Sequence, residues 1–307
     1  MTISQEEKTA LNLMLEHLIE KDFHNLEFEA LLKSKSASVK KNIDREGFEN
    51  VIRRLKTVGL KVATRPDVLD ISFRKVCDAR PSNMRISITG LSSIRKYCSH
   101  NNIKRMGDNV SITVKNLARQ DNGALIIPVP ISDYNLKFNL KYEDTKLKSV
   151  FDDTTGIVTH WKNFYKSFRY KKRYSFVTPD KTLSIDLTIV RSSTYKDGRP
   201  LFTKTFLESN TLNNKPQYEI EVEFIGNKDS YNISQMENSH HRKMWMKKFI
   251  LDEMFKYIGY MYQALEGSSY ITTKSVKDRV FIAYHDLMNS WYFKAPLTIT
   301  LEKEQVI

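Results

Sequence analysis

Tyr218-Glu219-Ile220-Glu221-Val222-Glu223-Phe224 sets three carboxylates in strict alternation with apolar residues. Successive side chains of a β-strand point to opposite faces, so Glu219, Glu221 and Glu223 project from one side and Ile220, Val222 and Phe224 from the other. The apolar side packs into protein. Three like charges on the remaining side repel, and burying them unpaired would cost several kcal/mol. The carboxylates must therefore face a wet cavity, a cation, or both.

The device recurs at Leu26-Glu27-Phe28-Glu29-Ala30. Between the two acidic segments lies its opposite, Phe168-Arg169-Tyr170-Lys171-Lys172-Arg173-Tyr174-Ser175-Phe176, in which Arg169, Lys171 and Arg173 share a face and Lys172 points away. Lys137, Asn139, Lys141 and Glu143 share another face, as do Ser184, Asp186 and Thr188, and Arg85, Ser87 and Thr89. Each segment thus has one apolar face and one charged or hydroxylated face. In a β-sandwich the polar faces would be solvated, whereas an antiparallel sheet closed into a barrel would gather them into one polar lumen. Lysine and arginine hold phosphate oxygens, and clustered carboxylates hold a hard cation through oxygen. Acidic and basic strands in one domain are what a site for a polyanion with a divalent cation requires.

Helical periodicity predicts elements over about 4–22, 44–58, 91–97, 232–265 and 273–289, with Asp44 as N-cap and Gly59 just past the end of the second. Residues 108–224 read mostly as strands, and 195–215 as a turn and connection before the last acidic strand. The Met and aromatic stripe of the C-terminal helices, including Phe249, Met254, Ile258 and Met261, reads as helix core.

The ordered set Leu26-Glu-Phe-Glu29, Leu69-Asp-Ile-Ser72, Met84-Arg-Ile-Ser87, Arg169 to Phe176, Ile185-Asp-Leu-Thr-Ile189 and Tyr218 to Phe224 resembles the RNA 5′-triphosphatase domain of mRNA-capping enzymes from large cytoplasmic DNA viruses, especially giant amoebal viruses. The resemblance covers roughly residues 20–230. It implies an α+β chain built on the triphosphate tunnel fold, an eight-stranded antiparallel β-barrel with flanking helices and a C-terminal helical segment. The expected division is a tunnel domain over 1–230, a helical extension over 231–290, and over 291–307 the start of a linker to a following guanylyltransferase domain. Lys294 to Lys303 looks like the segment that leads into such a domain.

What the resemblance implies for the site is a metal, Mg²⁺ or Mn²⁺, held by Glu27, Glu29 and one or more of Glu219, Glu221 and Glu223. A remaining carboxylate would orient or deprotonate the attacking water. Arg85, Lys137, Arg169, Lys171 and Arg173 would neutralise the phosphates, with Glu143 and Asp186 behind them as supporting ion-pair partners. Lys115 and Lys141 are weaker phosphate-binding candidates, because strand register there is ambiguous by two residues. The implied partners are 5′-triphosphate RNA and guanylyltransferase and methyltransferase domains, linked or docked. The implied location is the host cytoplasm, in a viral factory, or the virion.

Composition agrees with a polyanionic partner: 49 Lys and Arg against 36 Asp and Glu give a net charge of +13. Cys77 and Cys98 are too few for a disulfide scaffold or a zinc site and fit a reducing compartment. No apolar run reaches the ~20 residues that span a bilayer, and the N-terminus does not read as a signal peptide. His240-His241 lacks further ligands at useful spacing, and no phosphate-binding glycine loop exists. Lys196-Asp197-Gly198 is not the Lys-x-Asp-Gly of lysine nucleotidyltransferases, since Thr194 and Tyr195 precede it. Two other readings stand beside the triphosphatase: a tunnel-fold hydrolase acting on nucleoside triphosphates or inorganic polyphosphate, and a non-catalytic RNA-binding module.

Overall fold

In the computed structural model, which describes residues 3–20, 26–32, 43–75, 81–104, 106–147, 156–226 and 239–288, the alternating segments become one closed antiparallel barrel. Its strands are β1 (Leu26–Leu32), β3 (Val68–Arg74), β4 (Met84–Thr89), β5 (Val110–Leu117), β7 (Leu136–Leu147), β8 (Tyr165–Val177), β9 (Leu183–Ser192) and β12 (Gln217–Phe224). They follow one another as β1-β12-β9-β8-β3-β4-β5-β7, and β7 pairs back onto β1 to close the ring of eight. Closure leaves β1 across the lumen from β3, and β12 across from β4. Short strands β2 (Val62–Thr64) and β6 (Val129–Ile131) add to the outsides of β8 and β7, and β10 (Tyr195–Lys196) and β11 (Arg199–Pro200) form a separate hairpin.

The apolar faces point outward, so the core lies between the barrel wall and the helices around it. Phe28, Phe138, Leu140, Ile185, Leu187, Ile220 and Val222 are buried against α1 (Gln5–Glu20), α2 (Arg45–Thr57) and α4 (Ser239–Glu266), which contribute Leu15, Val51, Ile250, Met254 and Ile258. On the opposite side Leu69, Ile71, Ile86, Ile88 and Phe168 pack with Ile94 and Tyr97 of α3 (Leu91–His100) and with Trp161 and Phe164. A fifth helix, α5, covers Lys274–Met288. No helix among the described residues is long and apolar enough to cross a membrane.

The helix ends follow local chemistry. Ser4 and Glu7 form a reciprocal capping box at the start of α1, each side chain accepting from the other's backbone N–H. The Asp44 carboxylate accepts from Gly47 N at 2.8 Å at the start of α2, and Gly59, at φ +92°, turns the chain away just past its end. Ion pairs from Lys247 to Glu16 and Lys243 to Glu20 fasten α4 onto α1. Residues 227–238 and 289–307, which include the expected linker to a following domain, lie outside the described residues.

Because α4 shares one buried cluster with the barrel wall, truncating its centre should weaken the whole unit. Ile250→Ala is expected to lower unfolding free energy by about 2–5 kcal/mol in a single urea transition, monitored by tryptophan fluorescence and circular dichroism. Separate transitions for helix and barrel would contradict this packing.

Candidate active site: the charged lumen

Cross-strand partners in an antiparallel pair share a face, so the register identifies what lines the lumen. Glu29 stands opposite Asn139 on β7 and Glu223 on β12, and Glu221 stands opposite Asp186 on β9. Arg173 is opposite Thr188, Asp70 lies between Arg169 and Ser87, Arg85 is opposite Thr113, and Lys115 opposite Glu143. The alternation in the sequence therefore places Glu27, Glu29, Glu219, Glu221 and Glu223 on the same inner wall as Arg85, Lys115, Lys141, Glu143, Arg169, Lys171, Arg173 and Asp186. Lys137 occupies the same face of β7, opposite Leu31 of β1 and Pro130 of β6. Lys172 is exposed on the outside, as its position in the alternation requires.

The opposed charges meet. The Arg169 guanidinium donates to both Glu219 oxygens, at 2.6 and 2.7 Å, a strong charge-assisted geometry. It reaches β12 over β9, whose inward residues Ser184, Thr188 and Val190 are small. Arg173 donates to Asp186 at 2.8 Å and approaches Glu221 at 3.9 Å, and Ser175 donates to the other Asp186 oxygen at 2.6 Å. Along β5, β7 and β1, Lys115 pairs with Glu27 at 2.8 Å and with Glu143, while Lys141 pairs with Glu29, which also accepts from the buried Asn139 at 2.9 Å. Lys115 and Lys141 thus sit at the carboxylate end. Their register, ambiguous by two residues in the sequence, is fixed by the β1–β7 and β5–β7 pairings.

Asp70 stands in the segment Leu69-Asp-Ile-Ser72 with no role assigned from sequence, and the structure makes it a hub. It is 4% exposed, pairs with Lys171, accepts from Ser87 at 2.7 Å, and lies 3.7 Å from Arg85. Burial alone would raise its carboxyl, but Lys171 and Arg85 hold it at about 2. Alternation with Leu69 and Ile71 marks it only as inward-facing and gives it no role by itself. Lys171, in turn, is pushed down by burial and by its neighbours Arg85 and Arg169, against the pull of Asp70.

The carboxylate wall is balanced differently. Among the described residues Glu223 has no hydrogen-bond or ion-pair partner, and burial together with Glu27, Asp186 and Glu29 pushes it up to about 7. Burial and Glu29 also push Glu27 up to about 7 despite Lys115. Glu221 is raised by burial and by Glu29. Among the described residues no three acidic, imidazole or thiol groups are drawn together as a finished metal site. The donor chemistry fits a hard cation nonetheless: Glu27, Glu29 and Glu223 line adjoining strands and offer only oxygen.

The solved structures most like this one include the RNA triphosphatase domain of a trifunctional mimivirus mRNA capping enzyme, which matches with a TM-score of 0.54 and 20% identity over 85% of this chain and 99% of that one. Monoclinic and triclinic crystals of the mimivirus capping enzyme triphosphatase match at TM-score 0.51, with 21% and 22% identity, over 73% and 74% of this chain and 91% of each of those chains. No protein-family model matches, and no curated protein matches by sequence. The chain has the triphosphate tunnel fold.

The hub generates a pH signature. A carboxylate depressed below its ordinary 3.8 stabilises the fold above that value and loses the contribution as pH falls through about 2. Asp70→Asn is expected to be less stable than wild type by about 2 kcal/mol near neutrality, the gap closing between about pH 4 and pH 2. Chemical denaturation across that range checks it, and a pH-independent difference would remove Asp70 from the hub.

Proposed function

We propose that the chain is a metal-dependent mRNA 5′-triphosphatase that hydrolyses the γ-phosphate of 5′-triphosphate RNA to give 5′-diphosphate RNA and phosphate, the first step of capping. The observation that carries this reading is a closed lumen in which a carboxylate wall faces a cluster of cations. The likeness to the mimivirus triphosphatase domain supports it. Glu27, Glu29 and Glu223 would hold a Mg²⁺ or Mn²⁺, which would supply Lewis-acid activation of a phosphoryl oxygen.

The chain's own groups do the remaining work. Arg85, Arg169, Lys171 and Arg173 neutralise the phosphate oxygens and the leaving diphosphate, with Lys137 as a further cation on the same face. Asp70 keeps Lys171 in place, Asp186 keeps Arg173, and Glu143 stands 3.6 Å from the Arg85 guanidinium. Phosphoryl transfer asks a protein mainly for positioning and electrostatic stabilisation, which a lumen of fixed charges provides before substrate arrives. Glu221, raised by burial and Glu29, is suited to orient a water and accept its proton as the water oxygen bonds to the γ-phosphorus and the β–γ bridge bond breaks. Glu219 holds Arg169 in the resting lumen and releases it to phosphate. Residues 291–307 as the start of a linker to a guanylyltransferase domain, a linked or docked methyltransferase, and a location in the host cytoplasm or virion complete the proposal.

Phosphate release from γ-labelled triphosphate RNA, with and without Mg²⁺ or Mn²⁺, tests it. Glu27→Ala, Glu29→Ala, Glu221→Ala and Glu223→Ala are each expected to abolish most turnover with the fold intact, since removing one carboxylate relieves repulsion. Lys171→Ala is expected to lose on the order of 10²-fold in rate, and Lys172→Ala, outside the barrel, almost nothing. Metal-independent release, or equal effects at Lys171 and Lys172, would overturn the assignment.

A further inference from the structure

We infer that the β10–β11 hairpin and the turns after it form a rim at one mouth of the lumen that grips the RNA chain behind its triphosphate. The rim would make the site favour RNA ends over free nucleotides and inorganic polyphosphate. This rests on the triphosphatase reading and names what sets its substrate class.

The position comes from the strand ends. β8 begins at Tyr165, β9 ends at Ser192, β12 begins at Gln217 and β3 ends at Arg74, which pairs with Tyr165. These ends share one mouth of the barrel, and residues 193–216 join β9 to β12 there, with Phe206 packed against Phe168 on the outer wall beside the mouth. Ser192 stands opposite the lumen cation Arg169. The hairpin starts three residues later, at Tyr195. A triphosphate reaching Arg169 would leave the next nucleotides against this segment.

The chain invests in holding the segment still. Lys166, fully buried, donates its ammonium protons to the carbonyls of Phe164 at 2.9 Å and Lys204 at 3.1 Å, and exchanges backbone hydrogen bonds with Thr203. A buried ammonium satisfied by carbonyls is costly unless what it fastens matters. Asn214 donates to Ser192 O at 2.8 Å, and Asn101 to Lys204 O at 3.1 Å. The turn itself is tight, with Asp197 and Gly198 at φ 51° and 74°, the left-handed pair of a two-residue hairpin.

What this anchored segment presents is basic and aromatic. Lys196 and Arg199 are exposed and directly opposite one another across the hairpin. Like charges so placed oppose pairing, and an anion between them removes the penalty. Tyr195 is half exposed, Arg74 lies 5.0 Å from the Phe202 ring centre, and Lys204 lies 4.3 Å from that of Tyr165. Asp197 and Glu208 are the acids of this segment, and Glu208 is engaged by the Lys204 backbone N–H. Cations interleaved with rings suit single-stranded RNA, whose bases stack while its phosphates pair. Tripolyphosphate has neither bases nor enough length to use the rim.

The experiment compares the 307-residue chain with a Lys196→Ser, Arg199→Ser variant, which relieves the like-charge pair and so keeps the fold. For triphosphate RNA of about twelve nucleotides the KM is expected to rise about tenfold, with the dependence on salt shallower by about two phosphate contacts, while the KM for tripolyphosphate stays unchanged. Fluorescence anisotropy with the same RNA bearing a 5′-hydroxyl, which needs no turnover, should show weaker binding by the variant. Equal RNA binding and equal KM values, or RNA and tripolyphosphate KM values that move together, would overturn the rim. A wild-type chain that binds the 5′-hydroxyl RNA through the hairpin yet releases no phosphate would sink the triphosphatase reading and leave the rim standing.

Discussion

The structure depends on a barrel turned inside out. Apolar faces of its strands point outward to α1, α2, α3 and α4, so the charged residues that face inward must find their counter-charges within the lumen. Closure removes the sheet edges and, more importantly, brings β1 and β12 to face β3 and β4. Carboxylates that would repel along a flat strand are balanced by cations on neighbouring and next-but-one strands of the ring. The ion pairs Arg169–Glu219, Arg173–Asp186, Lys115–Glu27 and Lys171–Asp70 are the result. Buried ion pairs are weak contributors to stability, so their density here serves the site more than the fold.

That balance is uneven, and the unevenness separates two kinds of acid. Asp70 has cations on two sides and a hydroxyl donor, and stays ionised far below neutrality. Glu27 and Glu223 are crowded by other carboxylates and pushed up to about 7. The first kind holds Lys171 and Arg85 in place. The second is short of positive charge. Lys115 and Lys141, standing at the carboxylate end, pair with that wall.

Much of this was legible because period-two alternation is a local signal. Glu219, Glu221 and Glu223, and Arg169, Lys171 and Arg173, could be assigned to common faces from spacing alone, and the helix limits at Asp44 and Gly59 from cap chemistry. What spacing could not supply is which faces meet. The register of Lys115 and Lys141 and the partners of Arg85 depend on strand order around the ring, a long-range property. Asp70 went unassigned because a single acid between Leu69 and Ile71 gives no pattern until Lys171 and Arg85 are brought beside it. The segment over 195–215 read as a connection because its hairpin is two residues per strand, shorter than any periodicity can register, and its order comes from Lys166 on another element.

Anomalous diffraction at the manganese edge, from crystals of this chain equilibrated with Mn²⁺, tests the central claim most directly. The expected result is a peak inside the lumen in contact with Glu27, Glu29 and Glu223, absent in crystals of Glu223→Gln. A lumen without a peak at saturating Mn²⁺, or a peak unaffected by that substitution, would contradict the account.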